Sequence, residues 1–327
     1  MARRNDLPQP SAQRSPRGQR KEPRLDHGVL AEPINMDFAP HVPGELPCSF
    51  AGLALFAKYL WTVGIDRQLE ERFISLKDEE KTTFPMDCVL RMLVDMFAAG
   101  ASRVFDLEAL AGDSLFVKLA GGVLPSLDTV YRDIARFDDA HVRSLSSMLT
   151  QHGMMSVREL WGTDVVHIDI DTTVIPVFGE QQCARKGYNR LFPGRNSYHP
   201  IVARCAETGT WIRYEFRPGD TGFGATDVPI IYGCIDDVRD AVGPNTPTCV
   251  RIDCAGDCAA IMHAIHKHKA VFVTKLKGTL ELPKAAASHD VKWSTVDMGA
   301  DNEPLVEVAE LAFRRESCRR SQIYRCA

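Results

Sequence analysis

VVHIDIDTTVIPVF, residues 165–178, decides the fold class. Its apolar and polar positions alternate, which is the signature of a β-strand with one covered face. Val166, Ile168 and Ile170 fall on one side, and His167, Asp169, Asp171 and Thr173 on the other. A carboxylate inside such a strand is costly unless it is hydrogen-bonded or bound to a metal. Asp171 is therefore the first residue to follow outward along the chain.

Downstream, YHPIVARCA (198–206), the turn ETGT (207–210) and WIRYEFR (211–217) form a hairpin pattern, with Gly209 permitting the tight turn. Thr226 suits the cap of a helix whose stripe is Val228, Ile231, Ile235 and Val238. The strand TCVRID (248–253) follows, then a helix over 259–267 and the apolar strand AVFVTKL (270–276). The predicted order is β-β-β-α-β-α-β, an α/β chain with a ribonuclease-H-like mixed sheet over 163–276. Strands one to three are expected antiparallel, and four and five parallel to strand one. Asp171 and Asp253 then fall at the ends of strands one and four, with carboxylates expected roughly 4–8 Å apart if they share a pair of metal ions. Asp169, on the same strand face as Asp171, is a rival ligand. Strand-end aspartates also cap turns, and Asp253 before Cys-Ala-Gly suits that role too.

The chain has 327 residues, enough for two domains, and ordinary hydrophobic (45%) and charged (25%) fractions. No apolar run is long enough to cross a bilayer, and the N-terminus lacks the apolar stretch of a secretory signal. A cytoplasmic, nucleoid-associated protein is expected. Net charge is −4, yet residues 1–26 carry seven basic and three acidic residues, leaving the remainder at −8. Residues 1–45 read as a basic, Pro-rich disordered arm able to touch phosphates. Ten cysteines without framework spacing are expected reduced. Cys249, Cys254, Cys258, His263 and His266 could be drawn as a zinc site, but the spacing lacks the tight pairs of structural zinc.

Residues 46–150 read as a helical domain able to bind DNA. FAGLALFAKYLWTVGI (50–65) and MDCVLRMLVDMFAAG (86–100) have helical spacing, with Gly100 as a stop. LPSLDTVYRDIARF (124–137), with Ser126 as N-cap, has the outline of the second helix of a helix-turn-helix, placing Arg132 and Arg136 on one side. Between the two aspartates, QQCARKGYNRLFPGRNSYHP (181–200) gathers Arg185, Lys186, Arg190 and Arg195, a basic loop suited to a DNA backbone. Lys275 and Lys277, after the last strand, could serve likewise.

Asp171-Thr172-Thr173 resembles the Asp-(Ser/Ala/Thr)-Thr motif of DDE transposases from bacterial insertion sequences. GYN (187–189), SYHPIVA (197–203), ETG (207–209), FRPGDTG (216–222) and VRIDCAG (250–256) follow in that family's order. The nearest group by these motifs is insertion-sequence family 1380, over residues 46 to 280. The resemblance implies a ribonuclease-H-like domain with an Asp-Asp-Glu triad, dependence on Mg2+ (or Mn2+), and cutting and joining of an element's DNA ends. It maps Asp171 and Asp253 onto the two aspartates. It also implies double-stranded DNA partners, the element's terminal repeats and target DNA, and a homo-oligomer in the active complex. The family's Glu lies on a helix after a β-rich insertion, and 281–327 resembles the incomplete start of that insertion. Glu303, Glu307, Glu310 and Glu316 lack the helical context, so the third carboxylate is expected beyond Ala327 and the chain is expected to be an inactive fragment. Two other readings stand: a non-catalytic DNA-binding remnant, and a ribonuclease-H-like nuclease that only hydrolyses.

Overall fold

A computed structural model of the chain describes residues 50–78, 81–275, 281–288, 290–299, 301, 303–309, 311–313 and 324–326. The arm at 1–45 and Lys277 lie outside these residues. The chain divides into two compact units between Leu145 and Ser146, inside a helix and not after residue 150 as expected.

The first unit contains α1 (Gly52–Thr62), α2 (Ile65–Phe73), α3 (Met86–Ala98), α4 (Leu107–Leu110), α5 (Ser114–Leu119), α6 (Leu127–Ile134) and the start of α7 (Asp139–Val157). The apolar run 50–65 breaks between α1 and α2 at Gly64, whose φ of 78° is the left-handed conformation that favours glycine. Ser126 caps α6 through a bond from the Thr129 amide. Val89, Met92 and Met96 of α3 meet Phe116 and Val130 in the unit's core.

Among these apolar side chains Arg91 is buried between Asp66 and Asp95. Oδ2 of Asp95 has no hydrogen-bond partner among the described residues. Burial pushes the Asp95 carboxyl up to about 6, against the opposing pull of Arg91. The folded chain thus keeps a proton there that the unfolded chain gives up in the ordinary carboxylate range. This contribution to stability is full at low pH and is lost as pH rises through about 6. Asp95→Asn is expected to flatten the fall of the melting temperature between about pH 4 and 6. An unchanged slope in thermal melts across that window would contradict the assignment.

The second unit begins in α7 and continues through β1 (Val166–Thr172), β2 (Ile175–Pro176), β3 (Arg185–Lys186), β4 (Asn196–Tyr198), β5 (Ile201–Cys205) and β6 (Trp211–Glu215). Next come α8 (Val228–Val242), β7 (Thr248–Ile252), α9 (Ala259–Lys267) and β8 (Val271–Thr274). The remainder is α10 (Glu281–Ala286), β9 (Ser294–Met298), β10 (Pro304–Val308), β11 (Leu311–Phe313) and β12 (Tyr324–Cys326).

Five strands form one mixed sheet in the order β6-β5-β1-β7-β8. β5 is antiparallel to both β6 and β1, and β7 is parallel to both β1 and β8. Val166, Ile168 and Ile170 of β1 are buried on the face covered by α8, whose Ile231, Ile235 and Val238 point inward. Each such residue, fully buried, contributes roughly 1.5–3 kcal/mol. α8 starts after the 3-10 turn Ala225–Asp227, so the expected cap Thr226 is displaced. Asp227 stands at the N-cap position, and its carboxylate closes the preceding turn by accepting the Gly224 amide at 2.8 Å. A proline at the helix start, where no amide partner is needed, fits this beginning.

The opposite face of the sheet carries one cross-strand row, Trp211, Arg204, Asp169, Arg251 and Val273, one residue per strand. A small sheet of order β2-β4-β3 is built from the segment that follows β1. The β9–β10 hairpin leaves Val296, Leu305 and Val306 exposed.

Candidate active site

β1 and β7 run in parallel with Ile170 level with Ile252. The next residues, Asp171 and Asp253, therefore leave the same edge of the sheet from neighbouring strands, whose backbones are about 4.8 Å apart. Both aspartates are exposed. Oδ1 of Asp171 accepts the Thr172 amide at 2.7 Å, and Oδ1 of Asp253 accepts the Ala255 amide at 2.8 Å. Asp253 thus caps the 3-10 turn Cys254–Gly256 while standing just beyond the strand end. The cap orients one carboxylate oxygen, and the Cys254 thiol lies 3.7 Å from the other.

The turn after Asp253 is tightly fixed. Thr274 Oγ1 donates to the Asp253 carbonyl at 2.8 Å, tying the end of β7 to the end of β8. A Cβ at Gly256 would come within 2.7 Å of the Ile252 Cβ and 2.9 Å of the Thr274 hydroxyl. Gly256→Ala is therefore expected to cost about 1–3 kcal/mol through overpacking. A melting temperature equal to the wild type would show that the turn yields freely.

Asp169 is placed differently from the expectation that it could compete as a metal ligand. Arg251 binds it with two bonds, Nε to Oδ1 at 2.5 Å and the second guanidinium nitrogen to Oδ2 at 2.8 Å. Arg204 approaches from the other neighbouring strand at 3.6 Å. The hydrogen bonds from Arg251 hold the Asp169 carboxyl below its usual range. Both oxygens are engaged by guanidinium groups, which removes Asp169 from the pair at the sheet edge. His167, next on the same face, pairs with Glu207 at 2.6 Å.

The zinc arrangement does not assemble. Cys249 is buried in β7, with its thiol pushed up by burial, while His263 and His266 are exposed on α9. Among the described residues no three His, Cys, Asp or Glu side chains are grouped to hold a metal.

The motif residues between the aspartates meet in a brace that the sequence did not announce. The buried Arg217 guanidinium bonds to buried Asp227, and its Nε donates to the His199 carbonyl at 3.1 Å. The His199 amide returns a bond to the Arg217 carbonyl at 2.8 Å, and its Nδ1 faces the Thr221 carbonyl at 2.7 Å. A Cβ at Gly187 would lie 1.7 Å from the Gly219 carbonyl oxygen, so the two backbones touch. GYN, SYHP and FRPGDTG are therefore joined into one scaffold beside β1. The signal that could have found it is an arginine followed by Pro-Gly-Asp, far from any surface pattern.

The basic residues have different surroundings. Arg185 reaches Asp220 at 3.4 Å, and Arg195 lies over the Phe178 ring at 4.5 Å. Lys186 and Arg190 are exposed in the same segment, and Lys275 is exposed just after β8. In the first unit, α6 ends at Ile134, so Arg136 lies beyond the helix and pairs with buried Asp133 at 3.4 Å. Arg132 folds back on the Asp128 carbonyl and Thr129 hydroxyl, both at 3.2 Å. The expected pair of arginines on one helix side is thus not formed, because the helix ends before Arg136, which stays exposed while pairing with Asp133.

Among solved structures, the chain is similar to a piggyBac transposase synaptic complex with hairpin DNA, at 15% identity and a TM-score of 0.39, covering 80% of this chain. It spans 62% of the length of that piggyBac chain. It is also similar to a Drosophila P element transposase strand transfer complex, at 10% identity and a TM-score of 0.31, covering 68% of this chain and 47% of that one. A Mos1 mariner paired end complex with Mn matches at 11% identity and a TM-score of 0.24, covering 69% of this chain and 78% of that one. Comparison with curated proteins finds no match. Among the described residues no helix is long and apolar enough to cross a membrane. The family model described as Transposase DDE domain group 1 matches residues 35–322. With nearly the whole chain inside that match, the protein belongs to the DDE transposase domain family, group 1.

Proposed function

We propose that this chain is a DNA transposase of an insertion sequence, cutting and joining the element's DNA ends, with Asp171 and Asp253 as its catalytic carboxylates. The observation that carries the reading is the parallel register of β1 and β7, which brings both aspartates to one edge of the sheet. The strand order β6-β5-β1-β7-β8 supports a ribonuclease-H-like core.

The donor set fits a hard divalent cation such as Mg2+ or Mn2+, because both groups are carboxylates, exposed, and each uses one oxygen in a backbone bond. When bound, such ions supply Lewis-acid activation of the attacking and leaving oxygens. The protein's own part is to hold the two carboxylates in register and to keep Asp169 neutralised by Arg251 and Arg204. It also presents Arg190, Lys186 and Lys275 to phosphates. A third carboxylate is not assigned among the described residues. DNA ends, target DNA and a second copy of the chain are the partners this reading requires.

The test is incubation of the purified protein with element-end DNA in Mg2+ or Mn2+. Cleavage followed by joining to a second duplex supports the transposase reading and overturns the expectation of an inactive chain. Cleavage without joining would make it a hydrolytic nuclease, and binding without cleavage a non-catalytic DNA-binding protein.

A further inference from the structure

The segment 178–196, between β2 and β4, carries large exposed side chains that belong to neither buried core. Phe178 is 67% exposed, Tyr188 74% and Leu191 79%. Phe178 and Phe192 meet edge to face, with centroids 5.8 Å apart and planes at 72°. The Arg195 guanidinium lies 4.5 Å from the Phe178 centroid and 5.5 Å from that of Phe192, a cation–π arrangement. Arg185, Lys186, Arg190 and Arg195 are the cations of this segment, and Glu180 is its single acid.

The segment is also held in place. Gly187 is flush against the Gly219 carbonyl, the Tyr198 hydroxyl donates to the Gln182 carbonyl at 2.6 Å, and Asn189 Oδ1 accepts the Phe192 amide at 2.9 Å. Phe178 follows Asp171 by seven residues, so the segment leaves the sheet at the edge where the two aspartates stand.

Fixed, exposed rings among cations match a ligand that is both polyanionic and rich in accessible flat faces. Duplex DNA offers phosphates but keeps its base faces stacked. An unpaired strand offers both. Resting on the transposase reading above, we infer that this tethered segment, with the Phe178–Phe192–Arg195 cluster and the exposed Tyr188 ring, is a stacking platform for unpaired nucleotides in the chain that follows Asp171. Selectivity for unpaired over paired DNA then comes from the rings, and charge attraction to either form from the basic side chains.

The test uses the full chain and two labelled duplexes of the same sequence, one blunt and one with an unpaired tail of about five nucleotides. Fluorescence anisotropy is read at one fixed salt concentration. The wild type is expected to bind the tailed duplex about tenfold more tightly. The double variant Phe178→Ala with Tyr188→Ala is expected to bind both duplexes equally, at the wild-type blunt affinity. Tyr188→Trp, which keeps a ring, is expected to retain the preference. Circular dichroism checks that the double variant is folded, and both side chains lie outside the core. A preference that survives the double variant, or is absent in the wild type, overturns the inference while leaving the transposase reading to its cleavage assay. Failure to bind either duplex overturns both. Loss of cleavage with the tailed preference intact overturns the catalytic reading alone and supports the platform.

Discussion

Asp171→Asn is expected to abolish metal-dependent DNA cleavage, by about 10³-fold or more, while the protein still folds and binds DNA. The substitution keeps the shape of the side chain, and the amide oxygen can still accept the Thr172 amide bond made by Oδ1. What it removes is a negative charge at the sheet edge, and with it the attraction for a divalent cation. Asp171 is exposed, so no buried partner is stranded and the melting temperature should hold. DNA affinity should be equal or slightly greater, because one charge of the DNA's own sign is gone. Asp253→Asn should behave alike. If the two carboxylates work as one unit, the double variant should lose little more than either single one. Cleavage by Asp171→Asn within about tenfold of wild type would remove that residue from the site.

Arg217→Met is expected to destabilise the second unit by about 3–5 kcal/mol. Arg217 and Asp227 are both buried, so the change leaves a carboxylate out of water without its cation. It also strips the His199 carbonyl of its donor and so loosens the junction between SYHP and FRPGDTG. For a unit of this size each kcal/mol lowers the melting temperature by about 2–4 °C. Arg217→Lys should recover only part of the loss, since an ammonium lacks the planar fork that serves Asp227 and the His199 carbonyl together. Asp227→Leu added to Arg217→Met should restore some stability by removing the stranded charge. A melting temperature within about 2 °C of wild type for Arg217→Met would show that the brace is dispensable.

Much of this protein was legible because the deciding signals are local. A period of two over 165–171 identifies a strand and its covered face without knowledge of any neighbour. The same reading gave the hairpin after it, the parallel crossover and Asp171 and Asp253 at strand ends. Gly100 and Ser126 were readable for the same reason, since a helix stop and an N-cap depend on residues within one turn. Pattern alone also kept the two roles of Asp253 open, and the structure gives it the cap bond as well as the place beside Asp171.

Which charges meet is settled by tertiary contacts. By alternation alone Asp169 and Asp171 are indistinguishable, two polar positions on one face of one strand. Register separates them. Asp169 is level with Arg204 on β5 and Arg251 on β7 and is neutralised, whereas Asp171 is level with Val202 on β5 and stands one residue past the Ile170–Ile252 pair. Likewise Lys77 reaches buried Asp133, 56 positions away, and buried Arg217 pairs with buried Asp227. Alternation and capping act over a few residues of chain. The partner of a charge is set by strand pairing and burial, which join residues that the sequence keeps tens of positions apart.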